Sequence, residues 1–130
     1  MQDENPVNPR IVIASLWVTM LFIFAYVDIF ALFRADVLND ALSGRVAVFE
    51  VSQMFLALTT LYVIIPSLMI FLTLVLPRRI NRWANVILAV VYIITIAGGA
   101  AGETWVYYLM GSAVEVILLA ILAWRAWKTL

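Results

Sequence analysis

The sequence predicts an all-α integral membrane protein, a four-helix bundle running up-down-up-down with both termini in the cytoplasm. Three observations carry that expectation. Hydrophobic residues make up 66% of the 130 and charged residues only 12%, with a mean hydropathy of +1.08, whereas soluble domains carry about a quarter charged residues. Four apolar stretches, at 11–33, 50–76, 83–101 and 104–124, have the length that about 30 Å of hydrocarbon requires at about 1.5 Å per residue. The basic residues are also divided unevenly. Arg10, Arg78, Arg79, Arg82, Arg125 and Lys128 lie on the side of the termini, and only Arg34 and Arg45 lie on the other. Basic loops stay inside, so both termini are expected there.

The first stretch follows the head MQDENPVNPR, residues 1–10. That head is acidic and proline-bearing rather than basic, and no small-residue cleavage site follows, so the stretch reads as a retained span. The second contains Pro66, which removes a helical hydrogen bond and predicts a kink. Arg78, Arg79 and Arg82 separate it from the third, and Gly102 and Glu103 separate the third from the fourth. Connections that short make neighbouring spans antiparallel, giving one transmembrane domain over 11–128. Only Arg34 to Phe49 is a long connection, and its DVLNDALSG reads as a short amphipathic helix ended by Gly44. Val37, Leu38, Ala41 and Leu42 are expected against the lipid surface. Trp83, Trp124 and Trp127 form an inner aromatic anchor, and Trp105, Tyr107 and Tyr108 an outer one.

Composition also excludes much. The chain has no cysteine and no histidine, which removes disulfides, the usual zinc sites and imidazole ligation of haem or copper. A net charge of zero provides no field for nucleic acid. No nucleophile stands beside a base and no glycine loop opens onto a soluble helix, so neither an enzyme, a cofactor nor a metal site is expected.

Counting from the centre of each span sorts the polar residues by depth. Glu115, Tyr62 and Tyr92 share the midplane, with Thr19 and Thr59 about a turn away. An ionised acid at that depth costs about 2.5 to 3.5 kcal/mol, so a protonated Glu115 hydrogen-bonded to Tyr62 or Tyr92 is the expected arrangement. It serves either as a polar clasp between helices or as a ligand or proton site. A second layer lies about two turns outward, where Asp28 reaches the level of Gly98, Gly99 and Tyr108. Glu50, Gln53 and Glu103 lie beyond it and would form an acidic mouth that collects cations or amines. The alternative puts Asp28 near the interface, paired with Arg34 or Arg45 or accepting from a tyrosine, and makes Glu103 a cap of the fourth helix.

Helical spacing adds two stripes. On the third span Asn81, Asn85, Ala89, Tyr92, Ile96, Gly99 and Glu103 recur every three or four residues, mostly polar or small, and are expected to face inward. Gly98 and Gly102 make a small-xxx-small pair suited to close helix approach. Trp105, Tyr108, Ser112, Glu115 and Leu119 form the matching stripe on the fourth.

The segments SLW at 15–17, YVDIFAL at 26–32, IPSLMIFL at 65–72, LPRRINRWAN at 76–85, YYLMGSAVEV at 107–116 and AWRAWK at 123–128 carry a resemblance that covers nearly the whole chain. The sequence resembles a bacterial family of small four-span integral membrane proteins classed as a domain of unknown function. That resemblance implies four spans in a bacterial inner membrane and no established activity. It also puts Asp28, Arg82, Asn85 and Glu115 among the motif-bearing positions without a role for any.

Two readings of function stand. One is an oligomeric binding or transport unit for a small cation, amine or apolar ligand, with Glu115 as its protonatable residue and Asp28 as an outer charge. The other is a non-catalytic accessory or structural subunit docked to a larger membrane complex. The expected partners are the lipid bilayer, further copies of the chain and such a complex, with no nucleic acid.

Overall fold

The computed structural model describes residues 7–130, of which 81% are helical. Residues 1–6, most of the expected head, lie outside the described residues. Helix α1 spans Pro9–Ala31, with the Asn8 side chain accepting the Arg10 N–H at 2.8 Å and Pro9 in the first turn. Both features favour a helix start there, because they satisfy or remove backbone donors that have no helical partner. Helix α2 is Ala35–Leu42, followed by a two-stranded antiparallel hairpin of β1, Arg45–Val46, and β2, Phe49–Glu50. Helix α3 is Gln53–Val75, capped by the Ser52 hydroxyl, which accepts the Phe55 N–H. Helices α4, Arg78–Ala100, and α5, Val106–Thr129, complete the chain.

The four long helices are each long and apolar enough to cross a membrane. They fit a small multi-pass membrane protein. Large apolar side chains point away from the bundle, with Phe22 61%, Ile94 65% and Met110 64% exposed. Such a surface suits lipid better than water.

The expected long connection does contain a short helix, α2, and Gly44 follows it with φ of +83°. The hairpin beyond it was not foreseen, and the second span consequently starts at Gln53 rather than 50. The third starts at Arg78 rather than Trp83. Charge lowers hydropathy but not helix propensity, so three arginines that delimit an apolar window still make a good first turn after Pro77. The fourth runs on from Val106 to Thr129 for a similar reason, carrying Arg125 and Lys128 within it.

Packing is uneven. Helix α5 meets α4 most extensively, then α1 meets α5 and α3, while α3 and α4 touch only sparsely. Neighbours are antiparallel: the Arg10 guanidinium at the start of α1 donates to the Thr73 and Leu76 carbonyls at the end of α3, and Arg78 at the start of α4 donates to the Thr129 and Leu130 carbonyls at the end of α5. Ile13, Trp17, Met20, Met69, Ala89, Leu119, Leu122 and Ala126 are buried and gather toward the end of the bundle that holds the termini. On α3 the buried residues are Pro66, Met69 and Thr73, none of them in the half before Pro66.

A polar network locks that end. The Trp17 Nε1–H donates to Asn85 Oδ1 at 2.8 Å, and the Thr73 hydroxyl donates to the same oxygen at 3.3 Å. The Asn85 amide donates to the Asn81 side-chain oxygen, and the Asn81 amide to the Thr73 carbonyl. All four residues are fully buried. A satisfied network of this kind fixes three helices, α1, α3 and α4, in one register.

Candidate functional site

The opposite half of the bundle is not filled. Sparse contact between α3 and α4 leaves a half-open cavity of about 670 Å³, bounded by α1, α3, α4, α5 and Phe49 of the hairpin. Its walls are mainly apolar and aromatic: Phe24, Phe49, Phe55, Tyr62 and Tyr108 contribute rings. Asp28, Ser112 and Glu115 line the same space. Pockets for small molecules have this character, an apolar surround with a few convergent polar groups.

Local sequence explains how each side chain arrives there. Gly111 lies against α1 so closely that a Cβ on it would stand 2.4 Å from Val27 Cγ2. The glycine therefore brings α5 down onto α1 and aligns Ser112 and Glu115, one turn apart on α5, with Asp28 beside Val27. The Tyr108 hydroxyl of α5 lies 3.6 Å from where a Cβ on Gly99 of α4 would stand. Asp28, Gly99 and Tyr108 thus share a level, as depth counting predicts.

The midplane residues meet differently from expectation. Tyr62 and Tyr92 stack with ring centroids 4.5 Å apart, and Glu115 is buried nearby, yet neither hydroxyl bonds to the acid. The Tyr92 hydroxyl donates to the Tyr62 backbone carbonyl at 2.6 Å. Thr95 donates to the Tyr92 carbonyl, and the Tyr62 hydroxyl meets the Thr95 hydroxyl. The physical reason lies four residues on from Tyr62, where Pro66 has no N–H for that carbonyl. A freed backbone acceptor captured the tyrosine that was expected on Glu115. Thr19 and Thr59 donate to carbonyls of their own helices, at Ser15 and Phe55.

Among the described residues, Asp28, Tyr108, Ser112 and Glu115 make no side-chain hydrogen bond within the chain, although all four line the cavity. Their polar atoms face the same space. Two acceptor carboxylates and two hydroxyls offer a cationic or hydrogen-bonding guest complementary partners. No group of three or more histidine, cysteine, aspartate or glutamate side chains forms a metal-type cluster among the described residues.

The outer acidic mouth does not assemble. Glu50, in the second hairpin strand, and Gln53, at the start of α3, are exposed and stay outside the cavity wall. Glu103 is instead taken up by three partners: its carboxylate accepts the Thr104 and Trp105 N–H groups and an Arg34 N–H at 3.2 Å. Those contacts, the Trp105 amide above all, hold its carboxyl below the ordinary 4.5. Arg34 also bonds Asp36 at 2.8 Å, an interaction that raises the guanidinium pKa and lowers that of Asp36. The same guanidinium sits 4.3 Å over the Trp105 ring. Arg34 therefore clips the α1–α2 junction onto the start of α5, and among the described residues Asp28 has no basic partner.

Sequence reasoning recognised the inward stripe of α4, where Asn81, Asn85, Ala89, Tyr92 and Ile96 are buried. It missed Trp17 and Thr73 as partners of the asparagines, and the phenylalanine wall of the cavity. Asn81 and Asn85 at i and i+4 were the available signal, since two buried amides need partners from other helices.

A family model described as a family of unknown function (DUF6326) matches residues 4–129. No curated protein and no solved structure matches the chain.

Proposed function

The chain belongs to DUF6326, a family of unknown function, and we propose for it a binding unit in the bacterial inner membrane whose guest is a small amphipathic cation or amine. The observation that carries this reading is the convergence of two carboxylates without protein partners, Asp28 and Glu115, on one aromatic-walled cavity. A cation entering it would gain charge complementarity from the acids and quadrupole attraction from the rings, both strengthened away from water. An uncharged or anionic guest would leave the carboxylates uncompensated. Catalysis forms no part of the reading.

The six basic residues on the termini side support an N-in, C-in orientation, with the cavity in the outer half of the bundle. The polar network around Asn85 then closes the inner half, so a transport step would require that network to part. Further copies of the chain have a surface to use. A Cβ at Gly98 would meet nothing within 4 Å of it, so α4 remains open there for helix packing in a homo-oligomer, whereas Gly102, expected as its small-xxx-small partner, lies in the turn beyond α4 with φ of +84°. The same open face supports the second reading, an accessory subunit docked to a larger membrane complex.

The test is binding of tetraphenylphosphonium to the purified chain in nanodiscs, with tetraphenylborate as the anionic isostere. The parent is expected to take up the cation and not the anion, and Asp28→Asn with Glu115→Gln to weaken uptake at least about tenfold while melting at a similar temperature. Equal binding of both ions, or an unaffected double variant, sinks the reading. Mass in native detergent and a gentle-detergent pull-down separate an oligomer from a subunit of a complex.

A further inference from the structure

The cavity has a closed back and an open front, and its deepest polar groups stand at the back. Helix α5 packs extensively against both α1 and α4, and its cavity residues Ser112 and Glu115 are only 7% and 3% exposed. Helix α3 is the loose one. Before Pro66 it has no buried residue, and it touches α4 sparsely. Four hydrogen bonds join α3 to α4 among the described residues, and the one farthest from the termini is that between the Tyr62 and Thr95 hydroxyls.

Beyond that bond the seam between the two helices is not tied. Leu58 and Thr59 on α3, with Thr95 and Gly99 on α4, line the cavity and are nonetheless exposed, so the space opens sideways there. Tyr62 lies near the centre of its span, and Leu58 and Thr59 about one turn outward of it. In a chain that spans a bilayer, the opening is therefore at the depth of acyl chains. Toward the hairpin the cavity is walled by rings, since Phe49 lies against Phe55 with centroids 5.7 Å apart.

We propose that the guest of this cavity is a long-chain alkylamine, its ammonium at Ser112 and Glu115 with Asp28 beside them, and its chain leaving between α3 and α4 into the lipid. An ammonium offers three donors, and the two carboxylates and the serine hydroxyl accept. The first methylenes lie among the apolar side chains that line the seam, Leu58 and Ile96, and the later ones among acyl chains, so the tail loses no apolar burial when the head enters. A compact cation meets the same back wall but leaves the seam unused. The inference rests on the cation reading of the cavity and adds to it the shape and pose of the guest.

Photolabelling of the full chain in nanodiscs tests it, with two dodecylamine probes that carry a diazirine either beside the amine or at mid-chain. The label that counts is the part that excess unmodified dodecylamine lowers at least about tenfold, because labelling of the lipid-facing surface at large is not displaced. The head-side probe is expected to mark residues 108–115 and 24–28, and the mid-chain probe residues 58–59 and 95–99. Dodecanoic acid with the same mid-chain diazirine is expected to leave no displaceable label. Equal displaceable label from the acid overturns the amine class, and mid-chain label on the hairpin at 45–50, or on α5 with the head-side label in the seam, overturns the pose. Absence of displaceable label from either amine, where tetraphenylphosphonium still binds, overturns the inference and leaves the cation reading standing. If neither the amines nor tetraphenylphosphonium bind, both fall.

Discussion

The Tyr92 hydroxyl donates to the backbone carbonyl of Tyr62, 2.6 Å away, and so satisfies the acceptor that Pro66 leaves without a helical N–H. A missing backbone donor on one helix is replaced by a side chain from the next. Tyr92→Phe should lower stability by about 1 to 3 kcal/mol, the cost of a buried acceptor left alone. In a Pro66→Ala background the alanine N–H can reach the Tyr62 carbonyl, and the same Tyr92→Phe change should cost much less. Thermal unfolding in detergent of the four proteins of this double-mutant cycle measures the coupling, and additive effects would falsify the relationship.

Gly111 should tolerate no side chain unless α1 yields. Gly111→Ala is expected to destabilise by about 1 to 3 kcal/mol, as overpacking does, because its Cβ would stand 2.4 Å from Val27 Cγ2. Trimming the obstacle with Val27→Ala should recover much of that loss. Melting temperatures decide it: a double variant no more stable than Gly111→Ala alone contradicts the close approach.

The two polar sets should respond differently to truncation. Asn85→Leu leaves the Trp17 Nε1–H and the Asn81 amide oxygen buried without partners and should cost more than about 2 kcal/mol. Ser112→Ala removes a hydroxyl that bonds nothing in the chain and should change stability by less than about 0.5 kcal/mol. Comparable losses for both would mean that the cavity is as tightly knit as the network.

Acid should loosen the clip at the start of α5. The Glu103 carboxyl lies below the ordinary 4.5 in the folded protein, chiefly through the Trp105 amide and then through Arg34. A depressed folded value means that its stabilising contribution is complete above about 4.5 and is lost as pH falls through the lower folded value. Asp36, also depressed by Arg34, follows the same sign from 3.8 downward. Amide hydrogen exchange at residues 32–52 should therefore rise below about pH 4 relative to the intrinsic rate. In Glu103→Gln the part of that rise due to Glu103 should be absent.

How much of this was legible in the sequence depends on which coordinate a residue type reports. Hydropathy reports depth, and depth counting brought Glu115, Tyr62 and Tyr92 to one level and Asp28, Gly99 and Tyr108 to the next. Rotation about the helix axis is reported only where the face is distinctive, as with Asn81, Asn85 and Ala89 on α4. The Tyr92 hydroxyl went to the Tyr62 backbone carbonyl and the Tyr62 hydroxyl to Thr95, the first because the demand created by Pro66 arises from a missing atom that hydropathy does not register. For Glu103 the alternative reading, a carboxylate on the N–H groups at the start of the fourth helix, is the one that its bonds to Thr104 and Trp105 fit, while its partner Arg34 reaches it through a connection whose path no periodicity encodes. The resemblance to a four-span family of unknown function agrees with the match over residues 4–129, and membership alone brought no role for any residue.

Helix α3 draws all of its buried residues from Pro66 onward, while Phe55, Leu58, Thr59 and Tyr62 before that proline form one wall of the cavity. Anchorage and capacity are therefore written on separate halves of one helix. Substitutions among residues 53–65 can resize or reshape the chamber while the locked end keeps its register, so a lineage could change what the chamber admits without first rebuilding the part that keeps the bundle folded.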